Sequence, residues 1–289
     1  MRARFAAEPA DRFAQAIEDR LALIDRLPDE TVRAILADLE ATRRQVLAEL
    51  VTAQGLGAVR LQALDQRLQD VMASFVEHYG QTVAPAQGAA WDAGVALGAR
   101  PLIEAGVLFH VPQISRRLLE VMQGYQAALI TGESARTVAD ISTALRAGLL
   151  RGDSMFETAQ QVAGSLDGPG PFGSLAVRAE AITRTELGRL QAAATQASLT
   201  AAAEHVPDLQ KEWRHSDVVG KWVRLGHLEA HGQVQDVDAP FSVAPGPGYA
   251  AEDLMYPRDP AGSARNTVNC RCVNLPFVAA WAEAEAQAA

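Results

Sequence analysis

The stretch SLAVRAEAITRTELGRLQAAATQASLTAAAEHVPDLQKEWR, residues 174–214, contains the change of texture that decides the fold. Its first part reads as one long helix, from about Ser174 to Ala203. After His205-Val206-Pro207 the pattern changes. Trp213, Trp222, Val223 and Leu225 stand in short segments among polar residues. Gly226, Gly232, Pro240, Pro245, Gly246, Pro247, Gly248, Pro257 and Pro260 punctuate the chain as strands and loops require. The boundary near residue 205 is the clearest in the sequence.

Working back from that boundary, the chain reads as helix. Phe13, Ile17, Leu21 and Ile24 recur at helical spacing. Pro28-Asp29 is expected to stop this helix and start a second, striped by Val32, Ile35, Leu36, Leu39, Val46 and Leu50. Gly55 and Gly57 mark a break before a third, with Val59, Leu61, Leu64, Leu68, Val71, Met72 and Phe75. The Ala, Gly and Pro of Gly80–Gly106 predict short, tightly packed helices. Ile114 to Tyr125 predicts another, and Thr131-Gly132-Glu133-Ser134 separates it from a helix over about Ala135 to Leu149. Ser154 and Glu157 form a capping box opening the next helix. Residues 167–171, Asp-Gly-Pro-Gly-Pro, read as a linker. Beyond the boundary, the last strand candidate is Val268 to Phe277. The expected class is α+β: a mainly helical N-terminal two-thirds and a small mixed α/β, loop-rich C-terminal module. The expected divisions are 1–110, 111–205, 206–278 and a frayed tail, 279–289.

An apolar fraction of 48% is enough to bury a core, and no apolar run reaches the length of a bilayer span. The start lacks the continuous apolar stretch of a secretory signal, so the chain is expected to be soluble and made in a cytoplasm. The net charge of −9 opposes broad nucleic-acid binding. The acid is spread: residues 206–289 hold 7 Lys+Arg against 11 Asp+Glu, the rest 19 against 24. Only Lys211 and Lys221 are lysines; every other basic side chain is arginine.

The chemistry-bearing residues gather late. Cys270 and Cys272 are the two cysteines of the chain. On a strand they share a face; in a turn both sulfurs can approach one ion. His227 and His231 lie four apart, on one face of any helical turn. Two thiolates and two imidazoles match a closed zinc site, which makes zinc the candidate cofactor. The other reading makes the cysteines small buried residues and His227 a hydrogen-bonding group. His227-Leu228-Glu229-Ala230-His231 looks like a zinc-protease helix, but Glu229 falls roughly 200° around from His227, so that reading fails. No phosphate loop or dinucleotide turn is present, and nothing supports a triad from Ser216, Asp217 and His227. On the long helix, Glu180 with Arg184 and Glu186 with Arg189 have the spacing of ordinary surface pairs.

Three pieces together resemble the phage Mu protein F-like minor head proteins, the phage head-morphogenesis family. The first is Arg184-Thr185-Glu186-Leu187, with Thr183 where the family usually has Ala. The second is Trp213, Asp217, Arg224, His227, Leu228 and Gly232. The third is Pro257, Pro260 and Asn269-Cys270-Arg271-Cys272. The resemblance covers roughly residues 115 to 277. His231 stands where Asp is common, and Arg224 and His227 where some members carry a Cys-x-x-Cys pair; that exchange makes His227 the best partner for the two cysteines. The resemblance implies a non-enzymatic minor capsid protein of a tailed phage or prophage-derived particle. It would bind the portal, major capsid or scaffolding protein in the capsid interior or portal region during prohead assembly, touch DNA transiently at most, and meet no membrane. The alternative is a metal-dependent nuclease or hydrolase using His227, Asp217, Cys270 and Cys272.

Overall fold

The computed structural model describes residues 2–52, 58–111, 115–162, 171–215, 224–248 and 250–282. Among the described residues, five helices precede residue 205: α1 (Arg2–Thr52), α2 (Ala58–Glu104), α3 (Arg117–Arg151), α4 (Met155–Val162) and α5 (Pro171–Ala203). The C-terminal module follows as β1 (Gln210–Arg214), α6 (Leu225–Glu229), β2 (Val234–Asp236), β3 (Phe241–Val243), β4 (Glu252–Leu254), α7 (Ala264–Thr267) and β5 (Val273–Phe277). The α+β class read from the sequence is the observed one. No helix among the described residues is long and apolar enough to cross a membrane.

The helices are longer than their punctuation predicts. Pro28 lies inside α1, the Gly80–Gly106 stretch is mostly α2, and Gly132 lies inside α3. A proline within a helix forfeits one backbone hydrogen bond, at a cost of ~3 kcal/mol. Here apolar stripes on both sides of the break outweigh that local cost. The breaks still carry information. The chain divides into two compact units, residues 1–28, 87–120 and 185–289 against residues 29–86 and 121–184. Pro28 is the last residue of one segment, and the Ala86–Gln87 crossing lies within the Ala/Gly/Pro-rich stretch. The Gly55–Gly57 break and most of the 167–171 linker lie outside the described residues. The Ser154 box forms as expected: Ser154 N donates to Glu157 Oε2 (2.8 Å) and Glu157 N to Ser154 Oγ (3.2 Å).

The unit of residues 29–86 and 121–184 is a helical bundle. Ile35, Leu39, Val46 and Leu50 of α1 meet Leu64, Leu68, Met72, Phe75, Tyr79 and Val83 of α2, with Ile130, Ile141 and Leu145 of α3. Spacings of three and four keep each set on one face. Inside this core Gln126 Nε2 donates to the Tyr79 hydroxyl (2.8 Å), which shares a 3.0 Å hydrogen bond with Thr183 Oγ1. Thr183, the departure from the usual alanine, thus has a structural reason.

In the other unit α2 and α5 approach through small residues. Thr195 Oγ1 donates to Gly94 O (3.1 Å) and Ser198 Oγ to Val95 O (2.9 Å). A Cβ on Gly94 would lie 2.2 Å from the Gln191 carbonyl oxygen, whereas one on Gly88 meets nothing within 4 Å. Gly94→Ala is therefore expected to cost about 2–3 kcal/mol by overpacking. Gly88→Ala, on the same helix, should be neutral or stabilising by up to about 1 kcal/mol. Thermal unfolding of both variants checks the contrast; equal effects would refute the close approach.

The module's larger sheet is antiparallel in the order β2-β1-β5, with Trp213 opposite Asn274; β3 and β4 form a separate pair. Along β1, Lys211 and Trp213 turn inward while Gln210, Glu212 and Arg214 are half-buried. Val273 and Leu275 of β5 pack with Ile17 and Leu97. Only residues 283–289 of the expected tail lie outside the described residues. Its start is docked, not frayed: Trp281 packs on Phe13 with ring centroids 4.8 Å apart.

Candidate metal centre and its supporting network

Trp213, Ala230, Phe241, Val243, Leu254, Cys270 and Cys272 form the core of the module. His227 enters it from α6. That helix lies flush on the residues after β3, because Gly226 leaves room for the Ala244 carbonyl oxygen, which a Cβ would meet at 2.2 Å. The imidazole is 2% exposed and stands edge-on to Trp213, centroids 5.5 Å apart. Cys270 and Cys272 arrive between α7 and β5. Asn269, at φ 55°, reverses the chain there; Asn tolerates this left-handed conformation better than most residues. The two sulfurs then point inward while Arg271, between them, is exposed. Both lie 3.5 Å from His227 Nδ1.

Cys270, Cys272 and His227 are thus brought together, and His231 is not. α6 ends at Glu229, so the four-residue face rule does not extend to His231. Its Nδ1 instead accepts the His215 backbone N–H (3.2 Å). Gly232, at φ 76°, turns the chain so that its N–H reaches Trp213 O (2.9 Å). Arg224 Nη2 donates to Val268 O (2.6 Å), tying the start of α6 to the end of α7. Asp217 lies outside the described residues, as do Ser216 and Trp222.

A buried cation supports the cysteine turn. The guanidinium of Arg258 donates to the carbonyl oxygens of both Cys270 and Cys272, the latter at 3.0 Å. Burial presses its pKa down, while the neighbouring cysteines oppose that. Arg258 has φ 68°, and its own carbonyl oxygen accepts from Arg189 Nε (3.0 Å). Arg189 pairs with both oxygens of Glu186 (2.7 and 2.8 Å). Glu186 is 3% exposed, and burial raises its pKa against the pull of Arg189 and Arg258. The Glu186–Arg189 pair is therefore interior, contrary to the surface role its spacing suggests. Thr185 Oγ1 accepts the Asn269 N–H (3.0 Å), so the helix motif and the cysteine turn touch directly. Arg184 does bond Glu180 as expected (2.8 Å), and also Asp29.

The two thiols differ. Cys270 is held well below the ordinary value by a hydrogen bond from Cys272, with the charge of Arg258 adding to that pull against burial. Cys272 is raised by that same bond and by burial.

Sequence reasoning missed Arg258, Asn266 and Lys211. Spacing gave no signal for the first two. Lys211 carried one: it is a lysine in a chain that otherwise uses arginine almost throughout. It is fully buried, donates to Met255 O (2.7 Å) and Gln196 Oε1 (3.2 Å), and lies over the Phe241 ring. Burial lowers its pKa to about 8, against the pull of Asp238 and Asp259. A lysine depressed in the folded state lowers stability below its folded pKa. That penalty is relieved as pH rises from about 8 toward 10.5, the ordinary lysine value. Across that window the wild type should gain on the order of 3 kcal/mol relative to Lys211→Met. Parallel denaturant titrations of the two proteins measure the difference, and a flat difference would contradict a buried charged lysine.

Residues 139–275 match the family described as "Phage Mu protein F like protein". The chain is 36% identical over 94 residues to the uncharacterized protein YqbB of Bacillus subtilis, a match covering 32% of this chain and 30% of that one. It is 34% identical over 98 residues to a protein named NAD(+)–arginine ADP-ribosyltransferase EFV of Enterococcus faecalis, covering 34% of this chain and 18% of that one. This chain thus spans less than a third of either relative's length. No solved structure matches.

Proposed function

On the match of residues 139–275 to the phage Mu protein F-like family, we propose that this chain acts in phage head morphogenesis as a minor virion component, associating with the portal or the capsid interior during prohead assembly. One observation carries this reading beyond the family match. The Arg-Thr-Glu helix and the Asn-Cys-Arg-Cys turn, some eighty residues apart in sequence, join in one buried network through Thr185–Asn269 and Glu186–Arg189–Arg258. Residues that resemble the family's signature therefore build a rigid support rather than an open cleft. His227, Cys270 and Cys272 are each at most 3% exposed, which favours a structural role over the hydrolase reading. The helical part offers partner surface: Val121 and Tyr125, four apart on α3, are 60% and 48% exposed.

The test is co-production of the full chain with the portal protein of the same phage or prophage, followed by sedimentation of the assembled portal. Co-sedimentation is expected, weakened when Val121 and Tyr125 become Ser. Its absence, with the chain also missing from purified particles, would refute the assignment.

A further inference from the structure

The sulfurs of Cys270 and Cys272 stand at the same 3.5 Å from one nitrogen, His227 Nδ1. The other ring nitrogen, Nε2, faces Asn266 Oδ1 at 3.3 Å. That oxygen accepts only, so the ring hydrogen belongs on Nε2 and Nδ1 presents its lone pair to the sulfurs. Two sulfurs equidistant from it have the geometry of ligands around a common centre. In a tetrahedral zinc site, bond lengths of about 2.3 Å to sulfur and 2.0 Å to nitrogen put each S···N edge at about 3.5 Å. All three ligand atoms lie within 4.8 Å of one another.

We propose that His227, Cys270 and Cys272 bind a thiophilic divalent cation, zinc, as a structural centre of the C-terminal module. Two thiolates balance the ion's charge, and soft sulfur with imidazole selects zinc over magnesium or calcium. Asn266 and Arg258 are positioning residues. Asn266 fixes the tautomer that frees Nδ1, and Arg258 holds the backbone on both sides of Arg271 so that the two sulfurs converge. The ion ties α6 to the α7–β5 turn, and its binding contributes to the folding of the module. These three are the donors brought together among the described residues. The proposal stands apart from the assembly role, since zinc binding is read without portal or particle.

The experiment uses the full untagged chain, produced with zinc in the medium and purified without chelator. Elemental analysis should find about one zinc per chain. Cobalt(II) exchanged into the site should give the near-ultraviolet charge-transfer band of thiolate coordination. Asn266→Ala should weaken zinc affinity roughly 10- to 100-fold. Wild-type protein that is folded by circular dichroism, yet carries no zinc and shows no thiolate–cobalt band, overturns the proposal whether or not any variant folds. Zinc retained by the Cys270→Ser/Cys272→Ser double variant overturns the location. Unchanged affinity in Asn266→Ala removes that residue's positioning role.

Discussion

Arg258→Ala should loosen the C-terminal module by about 3–5 kcal/mol, the range for removing one partner from a buried charged network. The guanidinium is 5% exposed and donates to the Cys270 and Cys272 carbonyl oxygens. Its removal leaves both acceptors buried without that donor, and leaves a void beside Gly188, where a Cβ would lie 2.3 Å from Arg258 Nη1. Arg258→Lys keeps a positive charge but not the planar fork that spans two carbonyls, so it should recover only part of the loss. Hydrogen exchange read peptide by peptide is the suitable measurement, because a chain with two compact units need not unfold in one step. Exchange in β1 and β5 should accelerate by about two to three powers of ten in the alanine variant. Rates within tenfold of wild type would mean that the buried arginine does not organise the turn.

Trp213→Ala is expected to cost about 3–5 kcal/mol through loss of a large buried side chain and the cavity left behind. Trp213 is fully buried, stacks edge-on against Phe241 at 5.4 Å and His227 at 5.5 Å, and sits on the central strand of the three-stranded sheet. Trp213→Phe keeps an aromatic edge for both partners and should recover roughly half the loss. The backbone hydrogen bonds of residue 213 to Gln233 O and from Gly232 N, both 2.9 Å, do not depend on the side chain. The strand should therefore form in both variants while its packing loosens. Denaturant midpoints for the alanine and phenylalanine variants check the order; equal midpoints would show that the ring is not a keystone of this core.

The helices were legible because burial in them is periodic. Val32, Ile35, Leu39, Val46 and Leu50 are all buried, as their spacing on α1 requires. The change of class after residue 205 was legible because frequent Gly and Pro there interrupt short apolar segments that carry no helical stripe. The Ser154 box was legible because both its hydrogen bonds are local. Pro28 and Gly132 misled for the complementary reason: a local breaker states a cost, and only the packing on either side decides whether the helix absorbs it.

At the candidate site, residue chemistry singled out Cys270 and Cys272 with His227 and His231, because thiolate and imidazole together suit one ion. Spacing alone did not separate His227 from His231, since four residues share a face only on a helix that reaches both, and α6 stops between them; the family resemblance is what favoured His227. Nor did it mark Arg258, whose positive φ and burial arise where the Tyr256–Pro260 turn meets α5 and the cysteine turn. The sequence by itself thus determined what depends on neighbours in the chain: the helical stripes, the capping box, the class boundary and the pairing of two thiols. The tertiary structure alone decided what depends on groups distant in sequence. It set that His231 stays away from the thiols, that the Glu186–Arg189 pair is buried, and that one arginine holds the turn, because burial and hydrogen-bond partners are fixed only when remote segments close on one another.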